Sequence, residues 1–280
     1  MPTQPRAPLI ALLTDFGLID PYVGVMKGVM LGIVPGMALV DLTHTIPPQD
    51  IETGAWQLHI AWRYQPAGSV ILCVVDPGVG SARRPVAFRL GGRIFVGPDN
   101  GLFTYALAAA PVEEAIVLDN PRFHLPQVSN TFHGRDLFSP SAAHLAAGVP
   151  LSELGSPLDP ATLIRLDIPA PAWEGETLVG RIAHVDYYGN LITNIEGDLA
   201  ARALSTEGVA LTLEVSAEHV WRITSRGSHF AAGNEGELFM LRDSSGRLTI
   251  ALRNSSAAAQ TGAKRGTRIT LTGLHGAATP

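Results

Sequence analysis

The sequence predicts an α/β fold: an N-terminal domain with a central, mostly parallel sheet flanked by helices, then a smaller C-terminal all-β, barrel-like domain. Three observations predict it. The first half alternates short apolar runs with stretches of helical spacing. Several of those runs end in an acid. Beyond a proline-rich stretch the hydrophobic period becomes strand-like. A length of 280 residues suits two domains of unequal size better than one.

In chain order, residues 9–13 read as a buried strand, and 22–33 as a helix with Val23, Met26, Met30 and Ile33 on one stripe. Residues 38–40 form a second strand ending at Asp41, and 51–62 a helix with Asp50 as its N-cap. Residues 70–75 are a third strand ending at Asp76. Runs 86–90 and 94–96 flank Gly91-Gly92, a hairpin signal, and 102–109 and 141–147 read as helices. The expected boundaries are an α/β domain over 1–160, a linker over 161–176 and a β-barrel domain over 177–280. The linker reading comes from Pro157, Pro160, Pro169, Pro171 and Gly175. Strand periods then recur at 178–185, 209–215, 219–223, 237–241, 248–252 and 267–271.

With 46% apolar residues the chain can bury a sizeable core. A net charge of −5, with no basic run longer than Arg83-Arg84, argues against a nucleic-acid or anionic-membrane surface. One cysteine, Cys73, excludes an internal disulfide and a cysteine-rich zinc site, and its apolar setting reads as a buried thiol. No stretch approaches the ~20 apolar residues that span a bilayer, and 9–13 is too short for a signal-peptide core. A soluble, cytoplasmic protein is expected.

Ligands of open α/β sheets bind beyond the carboxyl ends of the strands. Asp15, Asp41 and Asp76 each end such a strand, and Asp99-Asn100 follows another. Each acid alone has a plainer role as a helix or turn cap; their recurrence at one edge points to a polar site. In Asp76-Pro77-Gly78-Val79-Gly80-Ser81-Ala82-Arg83-Arg84, a glycine-rich turn lets an arginine fold back onto the aspartate. It lacks the third glycine of a dinucleotide fingerprint. In Asn130-Thr131-Phe132-His133-Gly134-Arg135-Asp136, a histidine lies among Asn, Arg and Asp before Ser139-Pro140. Elsewhere a lone histidine is usually only a satisfied polar residue, and no histidine pair has zinc spacing. Asp186-Tyr187-Tyr188-Gly189-Asn190, Asp243-Ser244-Ser245-Gly246 and Arg253-Asn254-Ser255 read individually as hairpin turns. Together, aromatic faces and amides would suit a purine.

Taken together, Thr14-Asp15-Phe16-Gly17, the 76–83 stretch, Gly97-Pro98-Asp99-Asn100-Gly101-Leu102, Phe132-His133-Gly134-Arg135-Asp136 and Asp186-Tyr187-Tyr188-Gly189-Asn190 resemble the S-adenosyl-L-methionine hydroxide adenosyltransferases. These SAM hydrolases are relatives of the fluorinases and chlorinases. The resemblance runs from about residue 9 to about 271. It implies the two-domain fold above and the cleavage of S-adenosyl-L-methionine to adenosine and L-methionine, without metal or cofactor. It implies a catalytic trio of Asp76, Arg83 and His133, in which His133 and Asp76 orient a water and take up its proton. Asp15 would bind the ribose, and Asp20, Asp186, Ser244 and Ser245 the methionine end. Phe132, Tyr188, Asn190, Phe230, Arg253 and Ser255 would complete the substrate pocket. It also implies a homotrimer with sites at the subunit interfaces. The halogenating branch has tyrosine, serine and tryptophan where this chain has Asp76, Gly134 and Gln49, and a carboxylate in that pocket repels halide. Two other readings stay open at this point: a metal-dependent hydrolase using Asp15, Asp76, Asp99 and His133, and a non-catalytic adenosine- or SAM-binding module.

Overall fold

Each face of strand β3 (Val70–Val74) is buried against a different layer of side chains. Successive residues of a strand point to opposite faces. Thus Val70, Leu72 and Val74 meet Met26, Met30, Phe138 and Ala142, while Ile71 and Cys73 meet Leu58, Leu102 and Phe103. Burial on both sides is the signature of a helix-covered sheet. We describe residues 8–274 in a computed structural model. They divide after Asp167 into two units.

The first unit holds β1 (Leu9–Thr14), β2 (Ala38–Thr43), β3, β4 (Pro85–Leu90), β5 (Arg93–Pro98), β6 (Val112–Val117) and the two-residue β7 (Ser156–Pro157). Their order across the sheet is β2-β1-β3-β5-β4-β6-β7. Strands β2, β1, β3 and β5 pair in parallel, and β6 runs the same way because two antiparallel pairings separate it from β5. The sheet is therefore mostly parallel. Helices α1 (Tyr22–Ile33) and α4 (Ser139–Ala146) supply one covering layer; α2 (Ile51–Ala61) and α3 (Thr104–Ala109) supply the other. Asp50 caps α2, accepting the Thr53 N–H at 3.0 Å.

The second unit is an antiparallel sheet. Its strands are β8 (Ala172–Glu174), β9 (Thr177–Val185), β10 (Leu191–Glu196), β11 (Ala210–Glu214), β12 (Val220–Ile223), β13 (Leu238–Arg242), β14 (Arg247–Leu252) and β15 (Arg268–Thr272). The order is β12-β11-β15-β9-β10-β14-β13, with β8 beside β9. The backbone just after β12 exchanges hydrogen bonds with Met240 of β13, so the sheet nearly closes into a barrel. Helices α5 (Gly197–Ser205) and α6 (Ala257–Thr261) complete this unit.

The segment expected as a linker, 161–176, is engaged with both units. Leu163 is buried, the Leu166 N–H donates to Thr104 Oγ1, and Ala172–Glu174 pairs with β9. Strands β6 and β10 and helix α5 also go beyond the elements named from sequence. In β6, Glu113 and Glu114 break the alternation that marks a strand.

Candidate active site

Strands β1 and β3 are parallel neighbours with Thr14 paired to Val74. Their carboxyl ends therefore deliver Asp15 and Asp76 to one edge of the sheet. Burial raises the Asp15 pKa above the ordinary carboxylate value, and the nearby Asp76 charge adds to the rise. Hydrogen bonds from the Gln49 N–H, at 2.8 Å, and from its own N–H work the other way. Gln49 holds a positive φ of 67°, and that bond to Asp15 is one of the contacts that fix it.

Asp76 and Arg83 form a bidentate pair. Arg83 Nε donates to Oδ1 and Oδ2 of Asp76 at 2.9 Å each, and Nη2 donates to Oδ2. Both side chains are buried, at 4% and 9% exposure. Arg83 Nη2 also lies 2.9 Å from His133 Nδ1. A guanidinium can only donate, so Nδ1 is the acceptor and the neutral ring carries its proton on Nε2. Burial and the Arg83 charge hold the His133 pKa below the ordinary 6.5. The guanidinium carbon sits 5.1 Å from the Phe138 ring centroid.

Two loops carry this group, and Gly80 locks them together. Its φ is +77°, and a Cβ there would fall 2.4 Å from the Asn130 carbonyl oxygen. Gly80→Ala should therefore destabilise the fold by about 1–3 kcal/mol. A urea midpoint unchanged from wild type would refute this contact. Past His133 the chain makes a π-turn over Gly134–Phe138, then enters α4. Pro140 has no N–H for the Asp136 carbonyl; the Leu125 N–H takes it at 2.8 Å. Buried Asp136 accepts from the Ser129 N–H, the Ser129 hydroxyl and Arg135. Burial alone would raise its pKa, but these bonds more than offset it and the net shift is downward. Asp136 thus holds the histidine loop in place. Gly134 sits under Phe16, Phe132 and Met26, where a Cβ would meet each at 3.2–3.3 Å. Phe16, Tyr22 and Phe132 form an edge-to-face cluster with centroids 5.3–6.0 Å apart. Asp20 is exposed on the same β1–α1 connection.

The sequence carried no signal for His44. This buried ring bridges Thr14 Oγ1, at 2.9 Å from Nδ1, and Asp41, at 2.9 Å from Nε2. Asp41 also binds Lys27 at 2.7 Å, so it serves this network. Asp99 lies within Arg84 and Ile164 contacts and is 2% exposed. The oxygens of Asp76 and Asp99, and Nδ1 of His133, each accept a hydrogen bond from an arginine or from backbone. Among the described residues no group of three His, Cys, Asp or Glu side chains is arranged to hold a metal ion.

In the second unit, Asp186 closes the β9–β10 turn. Its carboxylate accepts from the N–H groups of Tyr188 and Asn190 and from Asn190 Nδ2, all at 2.8–2.9 Å. Gly189 packs on Ser256, and its carbonyl accepts the Ala258 N–H, so this turn adjoins the Arg253–Ser255 turn. Tyr188 is 76% exposed and Phe230 50%. Phe230 lies in a turn ahead of β13, whose first residue, Leu238, pairs with Leu252 beside Arg253. Ser244 and Ser245 do not join them. They occupy the β13–β14 hairpin, at the opposite end of the six-residue strand β14 from Arg253.

A mixed sheet with a carboxylate–guanidinium–imidazole group at its carboxyl edge, followed by an antiparallel barrel, is a composite also met elsewhere. The SAM hydroxide adenosyltransferase N-terminal domain matches residues 10–155 and the corresponding C-terminal domain matches 180–270. The chain belongs to the SAM hydroxide adenosyltransferase family. The (R)-S-adenosyl-L-methionine hydrolase of Salinispora tropica is 38% identical over 266 residues, covering 95% of this chain and 98% of that protein. A fluorinase of an Actinoplanes species is 30% identical over 290 aligned positions, covering 95% and 97%. Among solved structures, an uncharacterized conserved protein from Thermotoga maritima has a TM-score of 0.86 at 33% identity, covering 94% of this chain and 99% of that one.

Proposed function

We propose that this protein hydrolyses S-adenosyl-L-methionine to adenosine and L-methionine by in-line attack of water on the 5′ carbon. Asp76, Arg83 and His133 act on the water, and Asp15 holds the ribose hydroxyls. The observation that carries the reading is the hydrogen-bonded Asp76–Arg83–His133 group at the sheet edge beside Asp15. Family membership and the hydrolase relatives support the substrate.

The leaving group is a neutral thioether departing from a sulfonium, so it needs neither protonation nor a Lewis acid. The nucleophile is the difficulty. With Arg83 on Nδ1, His133 offers an Nε2–H to one lone pair of the water, and the other lone pair attacks carbon. The C5′–O bond forms as the C5′–S bond breaks, with its electron pair passing to sulfur. The water's protons become acidic as its oxygen bonds to carbon, so Asp76 can take one late, even beside a guanidinium. His133 therefore orients the water and Asp76 is the acceptor, a division of labour that sequence could not make. Arg83 fixes both partners and stabilises the charge on Asp76.

The test is cleavage in oxygen-18 water with a chelator and excess halide present. The label should appear in the 5′-hydroxyl of adenosine. A 5′-halo product, unlabelled adenosine or loss of turnover to the chelator would overturn the mechanism. Tight binding with no turnover would make the protein a binding module.

The active assembly we infer is a homotrimer, in which the barrel of a neighbouring copy closes each site with Tyr188, Asn190, Phe230 and Arg253. Exposed Leu18 and Ile19 next to Asp20, and exposed Tyr187 and Tyr188, support it as apolar surface to be covered. Light scattering should give a mass near three times 29.6 kDa; an active monomer would refute the shared site. No helix among the described residues is long and apolar enough to cross a membrane. Cytoplasmic residence is part of the same proposal.

A further inference from the structure

The turn after β5 holds the catalytic loop at both ends. The loop runs from Asp76 to Arg83, and its flanking residues are Val75 and Arg84. Val75 lies beyond the last paired residues of β3: Leu72 is the last paired with β5, and Val74 the last paired with β1. Its buried carbonyl instead accepts the side-chain amide of Asn100, at 2.9 Å. The other end of that amide is also used, since Asn100 Oδ1 accepts the Leu102 N–H. Arg84 is held by the adjacent residue. Asp99 Oδ2 accepts from Arg84 Nε at 2.9 Å and from Nη2 at 2.5 Å, and the Asp99 N–H donates to the Arg84 carbonyl at 2.9 Å. Both Asp99 oxygens are engaged, because Oδ1 accepts the Ile164 N–H at 2.8 Å. The turn itself cannot drift from β3. A Cβ on Gly97 would fall 2.2 Å from the Cys73 carbonyl oxygen, so only glycine lets β5 come this close.

We propose that Asp99 and Asn100 are positioning residues for the reaction, a two-point clamp that aims Asp76 through Val75 and Arg83 through Arg84. The clamp rests on the hydrolytic reading of the site. Neither residue reaches the water. Each sets the backbone from which a reacting or charge-bearing side chain departs, and a displacement of about 1 Å at such a group costs on the order of a hundredfold in rate. The adjacency of the two clamp residues accounts for the Asp99-Asn100 pair, which the reaction itself does not use.

A double-mutant cycle separates this role from general support of the fold. Asn100→Ala should lower kcat for S-adenosyl-L-methionine cleavage about 10- to 100-fold, with KM changed less than about threefold. In an Asp76→Asn background the same change should alter the residual rate by less than about threefold, since the side chain it aims can no longer take the proton. Asp99→Asn, which keeps the shape and one acceptor for Arg84, should lower kcat less than Asn100→Ala does, again without moving KM. Circular dichroism melting of each variant identifies any that fails to fold, and Asn100→Ser, which also removes the amide donor to the Val75 carbonyl, then carries the cycle in its place. Equal fold losses in both backgrounds, a loss residing in KM, or an unchanged kcat would overturn the clamp. Wild-type protein without turnover would overturn the hydrolytic reading first, and the clamp with it. Wild-type turnover with an additive cycle would overturn the clamp alone.

Discussion

Asp76→Asn should lower kcat by about 10²- to 10⁴-fold, the range that positioned proton transfer contributes. The amide keeps the shape of the carboxylate and one acceptor for Arg83, but it cannot take a proton. Alanine would be a poorer choice, because an unpaired arginine at 9% exposure costs about 3–5 kcal/mol of stability and confuses folding with catalysis. His133→Ala should lower kcat by a smaller factor, since it would remove the donor proposed to orient the water but leave the proposed proton acceptor. In both variants substrate affinity, measured by calorimetry, should stay within a few-fold of wild type. An equal loss of affinity and rate would make them binding residues. The pH profile gives an independent reading. His133 must be neutral for Nδ1 to accept from Arg83, and its pKa is held below 6.5. The acid limb of kcat should therefore lie below 6.5, with activity falling as pH drops through it. An acid limb above 6.5 would contradict the contact with Arg83.

Asp15→Ala should weaken S-adenosyl-L-methionine binding about ten- to a hundredfold. A carboxylate accepting ribose hydroxyls makes charge-assisted bonds worth roughly 1.5–3 kcal/mol in all. The loss should appear in the dissociation constant more than in kcat, because Asp15 is proposed to hold the sugar and not the water. An unchanged constant would reduce Asp15 to an acceptor for the Gln49 N–H.

What could be read from the chain follows from how local each cause is. Apolar runs ending in acids located β1, β2 and β3, and Gly91-Gly92, both at positive φ, located the β4–β5 hairpin. The fold class followed from that alternation. The Asp76–Arg83 contact spans seven residues of glycine-rich turn, so local spacing suggested it. Its link to His133 spans fifty residues and came only from resemblance to a family. Asn100 to Val75 and Asp99 to Arg84, at separations of 25 and 15, depend on strand order, which periodicity does not encode. Asp186 shows the opposite limit. A carboxylate in a polar turn reads equally as a ligand or as a turn closure, and here its hydrogen bonds close the turn.

Gly134 bears on how one branch of the family could give rise to another. Under the proposed mechanism, exchanging the proton-accepting carboxylate for a halide-accepting lining would start from Asp76, Gly134 and Gln49, the positions at which the halogenating branch differs. Yet a side chain at Gly134 meets Met26, Phe16 and Phe132 at 3.2–3.3 Å, and those residues belong to α1, the β1–α1 connection and the histidine loop. On the proposed reading of the site, the choice of nucleophile would then rest partly on the packing behind the pocket. A variant library aimed at new nucleophiles should vary Met26 and Phe132 together with Gly134, because the wall has to retreat before the lining can change.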